Sequence, residues 1–230
     1  MLYQIKHTFI ADSFRCTSLS FCAAVTFRLG GATVIAIPTH HQSQVDVVSM
    51  DTKQTICSLT PQNTTAAHDM CMQIRVLGGQ SEHPMLLIGY ESGNIALWDI
   101  HQAGELSRLQ CCTDPVMSLD YSHEENLGVS GSADAVLRTW RINEQQCIVS
   151  TEDIEIRNTG VGCVKIRDDG KLFASGGWDS RLRLFSVKTL RPLAVLCQHT
   201  GTVQCLAFAA DNTLAAGSSD CTISVWSIYK

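Results

Sequence analysis

Four stretches of the chain read as variants of one another: IGYESGNIALW at 88–98, SGSADAVLRTW at 130–140, SGGWDSRLRLF at 175–185 and AGSSDCTISVW at 216–226. Each has two short runs of apolar or alternating residues separated by Gly, Ser or Asp, the pattern of a strand, a tight turn and a second strand. The aromatics that close them, Trp98, Trp140, Phe185 and Trp226, stand 42, 45 and 41 residues apart. A fainter copy lies upstream: Val34 to Ile37, a turn around His40 to Ser43, then Val45 to Val48, with Val48 in the aromatic slot. A unit this short cannot bury its own apolar face, so a chain of such units has to stack them.

A further apolar strand precedes three of the hairpins, at Val116 to Tyr121, Val161 to Ile166 and Val203 to Phe208, with turns such as Asp168-Asp169-Gly170 and Asp211-Asn212 after it. The run Leu19 to Phe27 reads as another buried strand, and the polar stretch Pro61 to Ala67 as a loop between units. Five prolines and little helical periodicity argue against a helical or βαβ fold. The expectation is one all-β domain over residues 1–230, with units at about 12–57, 58–107, 108–150, 151–193 and 194–230 and an atypical segment at 1–11. The last unit needs an outer strand from elsewhere, and Leu2 to Ile10 alternates suitably.

A period of roughly 40–45 residues with four strands per unit is that of WD40 blades, and the chain resembles the WD40 β-propeller family over most of its length. In that family an Asp in the turn six before the aromatic accepts a hydrogen bond from a His at the start of the blade. A strand hydroxyl and the Trp ring nitrogen complete the network. Carried onto this sequence, the resemblance implies turn residues Asp134, Asp179 and Asp220, with Ser92 in the second unit. It also implies histidines His68 and His199, hydroxyls Ser130 and Ser175, and anchors Trp98, Trp140 and Trp226. No single unit holds all four members in this reading, since Ala216 stands where the last Ser is expected. Arg138 and Arg183, two before the aromatic, are expected to cover the ring and expose their guanidinium groups.

The segments LLIGYESGNIALWDI (86–100), DPVMSLDYS (114–122), ASGGWDSRLRLF (174–185), RPLAVL (191–196) and VQCLAFAADNTLAAGSSDCTISVWSIY (203–229) are similar to the beta-subunit-like group of guanine-nucleotide-binding proteins and its fungal ASTRA-associated members. That resemblance covers about residues 12–229. It implies a seven-bladed propeller of which this chain is the C-terminal part, and a cytoplasmic and nuclear place of action. It further implies a role with the chaperone co-factors that mature phosphatidylinositol-3-kinase-like kinases, linked to ASTRA chromatin components. With no heptad pattern ahead of the first unit, no G-protein gamma subunit is expected.

A net charge of −5 with dispersed Lys and Arg gives no footprint for nucleic acid or anionic membrane. The eleven cysteines contain no C-x-x-C pair and read as small buried hydrophobes rather than zinc ligands, so no metal or cofactor is expected. A Ser, a His and an Asp drawn together invite a hydrolase reading centred on His199 and Asp220. Their recurrence once per unit points instead to structure, and no G-x-S-x-G, phosphate-loop or H-E-x-x-H pattern occurs. The expected function is a non-catalytic scaffold, with a substrate adaptor of a ubiquitin ligase as the alternative on the same fold. Its contact face is expected at the turn-bearing rim, on Trp178, Glu91, Ser180, Thr202 and Ser219, with Gly93, Ala133, Ala135, Cys221 and Cys71 beside them. The resemblance of GGWDS to a partner-facing turn of G-protein beta subunits makes Trp178 the expected anchor.

Overall fold

The alternating runs seen in sequence form nineteen strands in a computed structural model that describes residues 21–39, 41, 43–61, 69–79 and 81–228. The first sheet is β1 (Val25–Leu29), β2 (Ala32–Pro38), β3 (Val45–Ser49) and β4 (Thr55–Leu59). The second is β5 (Cys71–Leu77), β6 (Met85–Tyr90), β7 (Asn94–Asp99) and β8 (Gly104–Gln110). The third is β9 (Ser118–Ser122), β10 (Leu127–Gly131), β11 (Val136–Ile142) and β12 (Ile148–Glu155). The fourth is β13 (Val161–Ile166), β14 (Leu172–Gly177), β15 (Leu182–Ser186) and β16 (Pro192–Leu196); the fifth is β17 (Val203–Phe208), β18 (Thr213–Ser218) and β19 (Ile223–Ser227). Every sheet is an antiparallel meander in chain order.

The first strands β1, β5, β9, β13 and β17 neighbour one another in series, and all five line one central channel of about 680 Å³. The sheets therefore radiate from a common axis as propeller blades. Each blade places its aromatic-slot residue at the same register: Val48 opposite Ile35, Trp98 opposite Leu86, Trp140 opposite Gly128, Phe185 opposite Phe173 and Trp226 opposite Leu214. The first four are buried and Trp226 is half-buried. A bulge falls at the same slot in the outer strand pairs of the first four blades, which strengthens the local twist. Gly128 is required beneath Trp140, because a β-carbon there would lie 2.3 Å from the indole.

Four apolar clusters fill the seams between successive blades. Trp140 of the third blade packs with Leu87, Ile95 and Leu97 of the second, and stacks on Tyr121. Ile223 and Val225 of β19 point away from the fourth blade and stand 76% and 66% exposed.

Several sequence expectations change. The unit boundaries at 57, 107, 150 and 193 fall inside β4, β8, β12 and β16, because the outermost strand carries no motif residue to mark its end. The run Leu19 to Phe27 is not one strand: β1 starts only at Val25, Phe21 is exposed, and Leu19 and Ser20 lie outside the described residues. The proposed strand Leu2 to Ile10 lies outside them too, as does the loop over 62–67. Among the described cysteines Cys147, Cys197, Cys205 and Cys221 are exposed rather than buried.

Candidate functional site

The turn aspartates first make the hairpins. Oδ1 of Asp134, Asp179 and Asp220 each accepts the backbone N–H two residues on, from Val136, Arg181 and Thr222. This turn is one that short acidic side chains favour. The residue after the acid in the fourth and fifth blades, Ser180 and Cys221, takes a left-handed φ of 66° and 64°, as Gly93 does at 80° in the second. The remaining carboxylate oxygen is what differs between blades.

In the fifth blade, His199 Nδ1 lies 3.0 Å from Asp220 Oδ2 and its Nε2 lies 2.8 Å from Ser224 Oγ. Trp226 Nε1 donates to the same hydroxyl at 2.9 Å. An ionised carboxylate only accepts, so Nδ1 donates to Asp220 and a neutral ring accepts the Ser224 hydroxyl at Nε2. Hydrogen bonds from the Thr222 hydroxyl and the Thr200 backbone hold the Asp220 carboxyl well below the usual carboxylate range, with His199 adding to them. This blade thus has all four members, with Ser224 supplying the hydroxyl that position 216 lacks.

The third and fourth blades use a different partner. Arg138 Nη2 donates to Asp134 Oδ2 at 2.6 Å, and Arg183 donates to Asp179 through both terminal nitrogens, with Asn158 Nδ2 joining at 2.8 Å. Burial pushes the Asp179 carboxyl up, but the bonds from Arg183 and Asn158 outweigh it and leave its pKa lowered. The guanidinium groups are therefore turned inward, not displayed at the rim as expected from sequence. Ser130 is buried and meets the Cys111 thiol at 3.4 Å instead of joining Asp134. Ser175 is buried in β14, while the partners of Asp179 are Arg183 and Asn158.

In the second blade the acid sits on the opposite strand connection. Asp69 accepts the Ser92 backbone N–H at 2.8 Å and its hydroxyl at 2.6 Å. His68 lies outside the described residues. Trp98 and Trp140 have Ala96 and Arg138 two residues before them, so no hydroxyl comparable to Ser224 stands there.

Asp69 and Ser224 were missed by motif reading, and Arg138 and Arg183 were read as ring covers and not as partners of the turn acids, yet a signal was present. The fifth blade, which starts with His199, has Ser two before its aromatic, whereas the third and fourth blades, with a turn Asp and no such His, have Arg at that position. Each turn acid receives a donor by one route or the other.

Above these networks lies the rim. Backbone bonds tie the turn to the start of the inner strand at equivalent places: Glu91 N to Met70 O at 2.8 Å, Trp178 N to Gly160 O at 2.9 Å and Ser219 N to Thr202 O at 2.9 Å. They bring Glu91, Trp178, Ser180, Thr202 and Ser219 to one end of the blades. Glu91 and Ser219 are exposed, Ser180 and Thr202 half-buried. Trp178 is 43% exposed. Its indole lies on Gly160, whose φ is 87° and where a β-carbon would meet the ring at 2.2 Å, and its Nε1 edge lies beside Gly162. Gly93 and Cys71 are buried, so neither belongs to the accessible rim, and Ala133 and Ala135 are half-buried.

In the channel Asp120 of β9 lies 2.7 Å from Arg75 of β5 and 3.0 Å from Lys165 of β13, and accepts the Ile166 N–H at 2.9 Å. This buried carboxylate links three consecutive inner strands. Among the described residues no cluster of metal-ligating side chains forms, and no helix is long and apolar enough to cross a membrane.

Radial antiparallel meanders, four of them four-stranded, an aromatic slot at a fixed register and turn acids answered by His or Arg define a WD-repeat β-propeller. Residues 104–141, 151–186 and 190–227 match the WD domain, G-beta repeat family. The chain is 39% identical over 222 residues to guanine nucleotide-binding protein subunit beta-like protein 1 of Mus musculus, covering 96% of this chain and 68% of that protein. It belongs to the WD-repeat family that includes this relative. It is also similar to ASTRA-associated protein 1 of Schizosaccharomyces japonicus, at 26% identity over 94% of this chain and 66% of that protein. With the Aspergillus niger protein of the same name it shares 30% identity over 77% of this chain and 46% of that protein. The chain spans from just under half to about two thirds of these relatives' own lengths.

Proposed function

We propose that this WD-repeat chain is a non-catalytic scaffold that grips a partner protein through the turn-bearing rim, with Trp178 as anchor and Glu91, Ser180, Thr202 and Ser219 around it. The observation that carries the reading is the seating of Trp178: the indole is held on Gly160 while the residue stays 43% exposed. A rigid, half-exposed indole loses little conformational freedom on binding, which is why tryptophan recurs among interface anchors. The relatives' names guide the choice of partner. We assign the chain to the assembly of ASTRA components and of chaperone co-factors that mature phosphatidylinositol-3-kinase-like kinases, acting in cytoplasm and nucleus.

The chemistry of the His199 and Asp220 pair supports a structural role over a hydrolytic one. Asp220, His199 and Ser224 follow one another in the order of a catalytic triad, but the His199 side chain is fully buried and the Ser224 hydroxyl also accepts the Trp226 ring N–H. The group that would act as nucleophile is thus tied to the indole and not presented in a cleft. The test is recovery of ASTRA and co-chaperone components on tagged full-length chain from cells, compared with Trp178→Ala and Glu91→Lys. Partner recovery should fall with circular dichroism and melting temperature nearly unchanged. Undiminished recovery from both variants would remove the rim from the proposal.

A further inference from the structure

The fourth blade departs from the repeat by carrying Phe185 where the second, third and fifth carry Trp. Phe185 stacks on Phe173 and is buried, but a phenyl ring is smaller than an indole and fills less of the seam against the third blade. Along that seam runs an open groove of about 490 Å³, between the end of β12 and the outer strands β15 and β16. This volume lies in the range of ligand-binding clefts, roughly 300–1,000 Å³. Its apolar surface comes from Ile154 and Ile156 on one side, Phe185 beneath, and Val195, half exposed, on the other.

The charge of the groove is opposite to that of the protein. The chain carries −5 overall, yet Arg157 and Arg181 line the groove, are exposed, and form no ion pair among the described residues. Arg183 also borders it but is committed to Asp179. Glu155 is the one carboxylate in the lining. Exposed arginines beside an uncovered apolar strip match a segment with carboxylates flanking an apolar side chain, because guanidinium groups pair with carboxylates in a planar, two-pronged way.

We propose that the seam between the third and fourth blades is a second docking site, for an extended acidic peptide segment of a partner protein. One aliphatic side chain of the segment seats over Phe185 between Ile156 and Val195, and neighbouring Asp or Glu residues engage Arg157 and Arg181. The site adjoins the rim, since Arg181 follows the rim residue Ser180, but Trp178 is not part of its lining.

The experiment is fluorescence anisotropy of a labelled heptapeptide, Asp-Glu-Asp-Leu-Glu-Asp-Glu, titrated with the full chain at physiological salt. A saturable isotherm is expected, weakened about tenfold or more by combined Arg157→Glu and Arg181→Glu and by Val195→Asp, since each replaces attraction by repulsion or a buried charge. Replacing the peptide leucine by serine should weaken binding similarly, and Trp178→Ala should leave it unchanged. The peptide-side substitution needs no protein variant and so stands even if one fails to fold. The proposal is overturned if the wild-type chain shows no saturable binding or if charge reversal leaves affinity intact. Equal binding of the serine peptide would also overturn it, because attraction would then be charge alone without the groove.

Discussion

Arg183 and Asp179 form a closed pair inside the fourth blade, their side chains only 7% and 12% exposed. It occupies the place that His199 and Asp220 hold in the fifth. Removing the cation leaves a carboxylate sheltered from water with only Asn158 as a side-chain donor. Breaking such a pair from one side costs roughly 3–5 kcal/mol. Arg183→Ala is therefore expected to lower the urea midpoint sharply, and adding Asp179→Asn should restore part of the loss. If the double variant were no more stable than Arg183→Ala, the pair would not be the source of the effect.

The network of the fifth blade predicts a shared defect. His199→Ala leaves the Ser224 O–H without its acceptor and removes a donor to Asp220, at about 1–3 kcal/mol for unsatisfied buried partners. Ser224→Ala should lower the melting temperature too, and the two losses should be clearly less than additive, because they break one network. A double-mutant cycle measures this. Strict additivity would show that His199 and Ser224 do not act together.

Asp179 and Asp220 both have lowered pKa values, the first from Arg183 and Asn158 against the pull of burial, the second chiefly from Thr222 and Thr200. A carboxylate depressed on folding adds stability that is fully present above its unfolded value, near pH 4. That contribution is lost as pH falls through the lower folded value. Asp179→Asn with Asp220→Asn should thus be less stable at neutral pH and show a flatter decline below about pH 4. Parallel acid limbs in variant and wild type would contradict the assignment.

Gly160 cannot become alanine without moving Trp178. Its φ of 87° disfavours any side chain, and the added carbon would stand 2.2 Å from the indole. Gly160→Ala is expected to cost more than about 1 kcal/mol and to shift tryptophan emission to longer wavelength as the ring leaves its seat. In a Trp178→Phe background the emission change should vanish, while a persisting shift would trace it to another tryptophan.

The residue order alone determined that the chain is a stack of antiparallel units. The spacing of Trp98, Trp140, Phe185 and Trp226 leaves no other way to bury one apolar face per unit, and the turn acids Asp134, Asp179 and Asp220 mark each hairpin locally. Local signals do not say what lies across a seam. Tertiary structure decided that Asp134 and Asp179 are answered by Arg138 and Arg183 from within the hairpin, and Asp220 by His199 from another connection. A buried carboxylate binds whichever donor the packing brings within reach. It also decided that β4, β8, β12 and β16 extend past the motif-based boundaries, since an outer strand is defined by its pairing and not by its composition. Trp178 shows the same division: sequence places it in the turn, but only the bare backbone of Gly160 packed beneath it seats the ring while leaving the residue partly exposed.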